Sequence, residues 1–321
     1  MDINSKLIKA LHSRTDEYLS GTEIAVELGV SRTAVWKHIE QIRSVGYEIE
    51  AVPHLGYRLV KIPDKLLPDE IERGLKTSVI GKKILVYEKC SSTSDVAEEI
   101  ARSGGKEGTV IFAEHQTNGR GRLGRKWISY KGKDILCSVI LRPYMTPQNS
   151  SLITIIAAAS VCEVLREFGI LAGIKWPNDI VVKGRKIGGI LTEINTEMDR
   201  INYVILGIGL NVNSSLKNLS SKVVKTATSM IHETENKVDR IETVRKLLKF
   251  MDHKYEELKR GKYSEIMREC IDFSETLGRV VKIRSGKKVY AGYAQDFDDS
   301  GALNLRKDDG AVEKVVSGEL I

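Results

Sequence analysis

Proline is scarce in this chain of 321 residues, at 6, and its four cysteines, Cys90, Cys137, Cys162 and Cys270, are scattered without a Cys-x-x-Cys pair. The first scarcity excludes Pro-rich disorder. The second excludes a disulfide framework and a zinc site, and leaves buried free thiols. The longest apolar run, around Leu152 to Cys162, is broken by Thr154 and Ser160 and meets Glu163 well short of the about 20 residues a bilayer crossing needs, so a core helix is expected there. The opening MDINSKLIKALHSRTDEY lacks the apolar core and small-residue cleavage site of a secretory signal, and the expected location is the cytoplasm. Internal repeats and low-complexity tracts are missing, as is any G-x-x-x-x-G-K-[ST] phosphate loop.

What is present is ordinary for a globular protein: 41% hydrophobic and 29% charged residues, enough chain for two domains or three small ones. The net charge of +7 favours anionic partners, whether nucleic acid, nucleotide or an acidic protein, but its placement matters more. Residues 1–63 and 276–321 are almost neutral, so the excess sits in the middle. There, Arg120, Arg122, Arg125, Lys126, Lys131, Lys133 and Arg142 face one acid, Asp134, between Asn118 and Arg142. That stretch is the first candidate site.

Two boundaries are legible. Lys61 to Pro68 holds two prolines and reads as a linker, and near Phe273 to Gly278 the pattern changes to short alternating runs separated by Ser-Gly, Asp-Asp-Ser-Gly and Asp-Asp-Gly turns, a small β module. Between them β-rich runs alternate with helical ones such as Ser94 to Ser103 and Leu152 to Phe168. Ahead of them, Thr22 to Leu28, Gly29-Val-Ser31 and Arg32 to Val45 follow helix-turn-helix grammar, with Ser31 as N-cap and Ala34 or Val35, His38 or Ile39, and Ile42 as the buried stripe. Ser31, Arg32, Thr33, Trp36 and Lys37 are then the DNA-contacting candidates near the start of the second helix. Tyr47 to Ala51 and Tyr57 to Leu59, around Pro53 to Gly56, read as a two-stranded wing. A protein-contact role for this module stays open, and its net-zero charge requires two copies on two half-sites for DNA affinity.

Gly119-Arg-Gly-Arg-Leu-Gly-Arg-Lys-Trp127 formally matches G-x-G-x-x-G, yet Arg125-Lys-Trp-Ile-Ser-Tyr130 does not resemble a helix start and no acid stands at the dinucleotide-binding spacing. Glycines that allow close approach and arginines with forked donors suit a flexible loop that closes over a phosphate, ordering on its ligand. Lys175-Trp-Pro-Asn-Asp179 and Lys186-Ile-Gly-Gly-Ile-Leu-Thr-Glu193 read as strand, turn, strand, with Gly-Gly marking close approach to the backbone and Lys186 as a ligand contact. Gly207-Ile-Gly-Leu-Asn211-Val-Asn213 ends an apolar strand suited to lining a pocket.

Together with Cys90-Ser-Ser-Thr-Ser-Asp95 and Gln116, these motifs in this order resemble the biotin protein ligases, and the whole chain resembles the bifunctional class that is also a biotin-operon repressor. The resemblance implies an α+β chain: a winged helix-turn-helix over residues 1–64, a central mixed β-sheet with helices of the class II synthetase-like type over 65–274, and a small SH3-like β-barrel over 275–321. It implies ATP, Mg²⁺ and biotin, with biotinoyl-5′-AMP as intermediate and corepressor. The implied protein partner is the biotin carboxyl carrier protein of acetyl-CoA carboxylase. Operator DNA and a second copy of the chain complete the implied partners.

By the same resemblance, Ser92, Thr93, Ser94, Gln116, Arg120, Gly121, Arg122 and Lys186 bind biotin, Ser94 standing where the family usually carries an amide. Arg120, Arg122, Arg125, Trp127, Asn178, Lys186 and Asn211 bind the adenylate and its phosphates, and Lys186, Arg122 and Asp179 carry the chemistry, with no protein metal site. A lipoate ligase would lack the helix-turn-helix. A biotin-sensing repressor without ligase activity would not need the phosphate-binding constellation, and a ligase with a silent DNA-binding domain is the opposite alternative.

Overall fold

A computed structural model describes residues 2–14, 16–197, 200–215 and 226–321. The chain forms two compact units, Met1–Lys65 and Leu66–Ile321.

The first unit packs α1 (Ile3–Ser13), α2 (Gly21–Leu28) and α3 (Arg32–Ser44) beside a hairpin of β1 (Glu48–Val52) and β2 (Gly56–Lys61). Local signals set the helix ends. Ser20 and Glu23 form a reciprocal capping box at the start of α2, Gly29 ends it at φ +67°, and Ser31 accepts the Ala34 N–H to open α3. Val35, Ile39 and Ile42 are the buried stripe of α3, and Leu7 and Leu11 of α1 and Ile24 of α2 are buried as well. Gly56, at φ +117°, lets the hairpin close on α2's approach, since a Cβ there would lie 2.0 Å from the Leu19 carbonyl oxygen.

The second unit is built on a seven-stranded mixed sheet. In sequence it contains α4 (Pro68–Glu72), β3 (Lys83–Tyr87), α5 (Thr93–Arg102), β4 (Thr109–Ala113), the short β5 (Gly119–Arg120) and β6 (Lys126–Trp127), and β7 (Ile135–Leu141). Next come α6 (Ser151–Glu167), β8 (Gly173–Lys175), β9 (Asp179–Val182), β10 (Arg185–Glu197) and β11 (Arg200–Leu210). The strand order is β3-β4-β7-β11-β10-β9-β8. Among the described strands of this sheet only β3 and β4 pair in parallel, and α5 is the crossover such pairing requires. Lys183 and Gly184, at φ +50° and +76°, make the tight left-handed turn that joins β9 to β10.

The two sheet faces have different duties. Ile135, Cys137, Val139 and Leu141 of β7, with Val204, Leu206, Ile208 and Leu210 of β11, point into the large core under α6, α7 (Met230–Thr234), α8 (Arg240–Lys259) and α9 (Tyr263–Ile271). Part of the opposite face is covered by α5, whose Ala97 and Ala101 pack on Ile111, Ile140, Tyr203 and Ile205, and the sheet beyond that helix borders a site. The segment Pro147–Glu167, which includes α6, is apolar and long enough to cross a membrane, with mean hydropathy 1.3, but its apolar residues are part of the large core.

At the C-terminal end, β12 (Val280–Ser285), β13 (Lys288–Phe297), β14 (Leu303–Arg306), β15 (Val312–Val315) and β16 (Glu319–Leu320) form an antiparallel sheet in the order β15-β14-β13-β12-β16. Its small core includes Trp176, which arrives from the loop between β8 and β9. The module therefore anchors the Lys175 to Asp179 motif from behind.

Candidate active site

The open part of the second sheet face holds a narrow cleft of about 50 Å³, lined among others by Ser92, Thr93, Ser94, Gln116, Arg120, Gly121, Arg122, Asn178 and Lys186. An adjoining cavity of about 420 Å³ is lined by Tyr130, Lys175, Asp179, Asn211 and Ser214 among others. Trp127 and Lys186 line both. A third recess of about 160 Å³ brings Arg122, Arg125, Lys126, Lys175 and Lys186 around the same junction, with Glu319. Residues far apart in sequence thus meet where β5, β6, β10 and β11 converge.

The first cleft begins at the N-terminus of α5. Ser92 caps the helix, its hydroxyl accepting the Ser94 N–H at 3.3 Å. Gln116 Oε1 accepts the Thr93 N–H at 2.7 Å, which turns the amide's Nε2 away from Thr93 and toward Gly119. The strand side of the cleft is glycine. Gly189 and Gly209 face each other across β10 and β11, and the Trp127 indole lies on them: a Cβ on Gly209 would come within 2.5 Å of the ring. What approaches the backbone at Gly189 is therefore the chain's own tryptophan, together with the Lys186 side chain, whose Nζ is 5.7 Å from the ring centroid, while Gly188 packs against Ile180 and Leu210. The Trp127 Nε1 is buried without a hydrogen-bond partner.

The glycine-arginine segment, expected to be a flexible loop, is instead a short hairpin in which Gly119 pairs with Trp127 and Arg120 with Lys126, and each arginine has a partner that holds it. Arg120 donates to Glu193 at 2.6 Å and lies 3.3 Å from Asp95. Arg122 donates to Asn178 Oδ1 at 2.9 Å, while Asn178 Nδ2 donates to the Ile190 carbonyl at 2.9 Å, so Asn178 brackets Arg122 against β10. Arg125 pairs with Glu319 of β16. Lys186 Nζ donates to Asp179 Oδ1 at 2.6 Å. Burial holds the Arg122 guanidinium below its ordinary value, with Asp179 acting against the shift, and burial raises the Glu193 carboxyl despite Arg120. Burial, then Asp95, pushes the Cys90 thiol up to about 11, so it carries no thiolate at neutral pH and is no nucleophile.

Not every basic residue of the Asn118 to Arg142 stretch belongs to the site. Arg142 donates to the carbonyls of Ala101, Gly105 and Asn202 and fastens the end of α5, while Lys131 pairs with Glu88 at the surface. Asn211 lines the larger cavity but spends its Nδ2 on the Thr228 carbonyl at 2.9 Å. Tyr130 and Lys175 also line that cavity, although neither stands out in the sequence as a binding residue. Asp95 and Glu193 are acids inside the motifs whose task the sequence leaves open, and the fold sets them to hold Arg120. Ser138, a hydroxyl inside the apolar run Ile135–Leu141, is the one sequence signal of a polar contact behind the cleft.

In the first unit, Ser31, Arg32, Thr33, Trp36 and Lys37 are all exposed. Arg32, Thr33 and Trp36 line one concave surface with Ser20, His54 and Tyr57. The Ser31 hydroxyl is occupied as the cap of α3.

Comparison with known proteins matches three segments of the chain. Residues 86–211 match the Biotin/lipoate A/B protein ligase family, residues 5–58 an HTH domain, and residues 276–321 the Biotin protein ligase C terminal domain. The bifunctional ligase/repressor BirA of Bacillus subtilis is 38% identical over 319 residues, covering 99% of this chain and 98% of that protein. The protein of the same name from Escherichia coli is 28% identical over 306 residues, covering 95% and 92%. Among solved structures, biotin protein ligase from Aquifex aeolicus in complex with biotin and ATP superposes with a TM-score of 0.65 at 27% identity, covering 75% of this chain and 98% of that one. Matched along nearly its whole length by a relative of this kind, the chain belongs to the biotin protein ligases of the bifunctional ligase/repressor family.

Proposed function

We propose that the protein joins biotin to ATP, forming biotinoyl-5′-AMP and pyrophosphate, and passes the biotinoyl group to a lysine of the biotin carboxyl carrier protein of acetyl-CoA carboxylase. The observation that carries this reading is the position of Lys186, whose side chain lines both the cleft beside α5 and the larger cavity. A small acid in the first and a nucleotide in the second would meet at this lysine, beside the Trp127 wall that the two cavities share.

In the first step a carboxylate oxygen bonds to the α-phosphorus and pyrophosphate leaves. Two anions approach, so cations placed in advance lower the barrier. Lys186 stands at the carboxylate and α-phosphate, and Arg122 and Arg125 flank the recess that receives the leaving phosphates. Arg120 and Gly121 close the ureido end with Ser92, Thr93, Ser94 and Gln116, while Trp127, Asn178 and Asn211 border the adenylate. Asp179, now paired with Lys186, is placed to orient the incoming lysine amine. In the second step that amine attacks the biotinoyl carbonyl carbon and AMP leaves. Mg²⁺ needs only one or two protein carboxylates when it travels on substrate phosphates. Asp179, which lines the junction, would hold the ion, and the ion would supply charge neutralisation on the phosphates.

The first unit supplies the repressor function. The β1–β2 hairpin acts as its wing, and Arg32, Thr33, Trp36 and Lys37 meet operator DNA as a homodimer. Biotinoyl-AMP favours repression by binding the dimer-competent state better than the other. We read the C-terminal sheet as an SH3-like barrel and the domain limits as 1–64, 65–274 and 275–321, in a cytoplasmic protein.

ATP–pyrophosphate exchange with Mg²⁺, run with biotin and lipoate in parallel, tests the ligase reading. Exchange with biotin alone is expected, and Lys186→Met should lower it by about 10²- to 10³-fold without altering the melting temperature. Exchange with lipoate alone would make the protein a lipoate ligase, and exchange with neither acid would leave a biotin-sensing repressor.

A further inference from the structure

Behind the cleft, Thr93, Ser94 and Ser138 form an unbroken row of buried hydroxyls. Ser94 Oγ is 3.1 Å from Ser138 Oγ, Ser138 Oγ is 2.8 Å from Thr93 Oγ1, and Thr93 Oγ1 is 3.1 Å from Gln116 Oε1. The last atom sets the direction of the row. Gln116 Oε1 accepts the Thr93 backbone N–H, so it is the carbonyl oxygen, which can only accept, and the Thr93 hydroxyl proton must point to it. Thr93 Oγ1 then receives the Ser138 proton, and Ser138 Oγ receives the Ser94 proton. Every hydroxyl proton is committed to a neighbour. Thr93 and Ser94 therefore offer the cleft lone pairs only, and Gln116 offers the protons of Nε2.

Ser138 itself is fully buried on β7, in a strand otherwise wholly apolar. Its neighbour across the ladder is Gly207, where a Cβ would already be 3.1 Å from Ser94 Oγ. The missing side chain lets Ser94 come down onto Ser138. Without Ser138 the Ser94 proton loses its acceptor and turns freely toward the cleft, and a lone-pair wall becomes a mixed one.

We infer that Ser138 is a positioning residue that orients the Ser94 hydroxyl as an acceptor, beside the Thr93 hydroxyl that Gln116 orients, so that the cleft selects an acid whose ring carries N–H donors. This rests on the biotin ligase reading, in which the ureido ring supplies those donors, and it adds a selectivity determinant that never touches the ligand.

The test uses the full-length protein with Ser138→Ala, read by ATP–pyrophosphate exchange with biotin and with a biotin methylated on its ureido nitrogens. In Ser138→Ala the KM for biotin should rise about tenfold, the KM for ATP should not move, and kcat should stay within about twofold. The preference for biotin over the methylated analogue should narrow by the same factor as KM, which a merely structural defect does not produce. Ser138→Cys, similar in size but a weak donor, should fall between the two and serves if the alanine variant does not fold. A folded variant of either kind with the wild-type KM and the wild-type preference overturns the inference while the ligase reading stands. Wild-type protein that does not exchange with biotin overturns the ligase reading itself, and this inference with it.

Discussion

Gly209 shows how much a single missing methyl group decides. Its place opposite Gly189 gives the Trp127 indole a flat bed on β10 and β11, and the indole in turn forms a wall of both cavities. In Gly209→Ala the new Cβ falls 2.5 Å from a ring atom, so the indole must move. Overpacking of this kind costs about 1–3 kcal/mol. Exchange kinetics of the variant should show kcat/KM down about tenfold or more, with KM for biotin and ATP both raised. A change confined to kcat would argue against the indole as a shared wall. The ion pairs around it are of a different kind. Arg120 with Glu193 and Lys186 with Asp179 are each about a third exposed, and pairs in contact with water contribute about 0–1 kcal/mol. They hold the cations in place, yet an arriving carboxylate or phosphate can replace them.

At the scale of elements, the fixed part of the site is a buried network below it. Arg240, at the start of α8, makes a two-pronged contact with Glu114 at the end of β4 and donates to the Asp134 backbone carbonyl. Asp134 just ahead of β7 accepts from the Val212 N–H at 3.0 Å and from the Ser214 hydroxyl, and so ties the exit of β11 to β7. Burial raises the Asp134 carboxyl above its ordinary value, opposed by Ser214, Val212, Tyr130 and Arg240. The folded protein thus holds this proton more tightly than the unfolded chain. The stability it contributes is complete below the ordinary carboxylate range and is lost as pH rises through the folded-state value. Asp134→Asn does not titrate, so its stability in urea relative to wild type should improve as pH rises from about 4 to about 8. A gap that stays constant with pH would show that the hydrogen bonds, not the charge, set the balance.

For the whole molecule, the placement of charge separates the two duties. The first 63 residues are net neutral, so on the function proposed above DNA affinity rests on a few exposed cations and on two copies binding two half-sites. Replacing Arg32 and Lys37 together by alanine should weaken operator binding by about 1–3 kcal/mol per contact while ATP–pyrophosphate exchange stays at the wild-type level. Footprinting with and without biotinoyl-AMP, beside the exchange assay, checks both halves. Unchanged footprints would leave this chain a ligase with a silent helix-turn-helix.

Much of this molecule is local and therefore readable from its residues. Ser20, Gly29 and Ser31 mark the ends of α2 and α3, because caps depend on neighbours within a turn. Four of the five C-terminal strands, β12 to β15, follow from alternation and turn residues, while β16 is too short to show in the pattern. Lys186, Arg122, Gln116 and Thr93 are legible as motif residues, and one cleft gathers them. Only tertiary structure decides how they act. Asp95 and Glu193 meet at Arg120 across a helix and a strand, and Glu319 reaches Arg125 from the far end of the chain. Trp176 sits inside the Lys175 to Asp179 motif in sequence and is core to the C-terminal module. Arg142 shares a basic stretch with the site yet fastens a helix end, and Ser138 looks like an interruption until the sheet sets it beside Ser94. Caps and turns are written in short-range geometry, whereas the polarity of the cleft depends on which strands lie side by side, and that is settled when the sheet assembles.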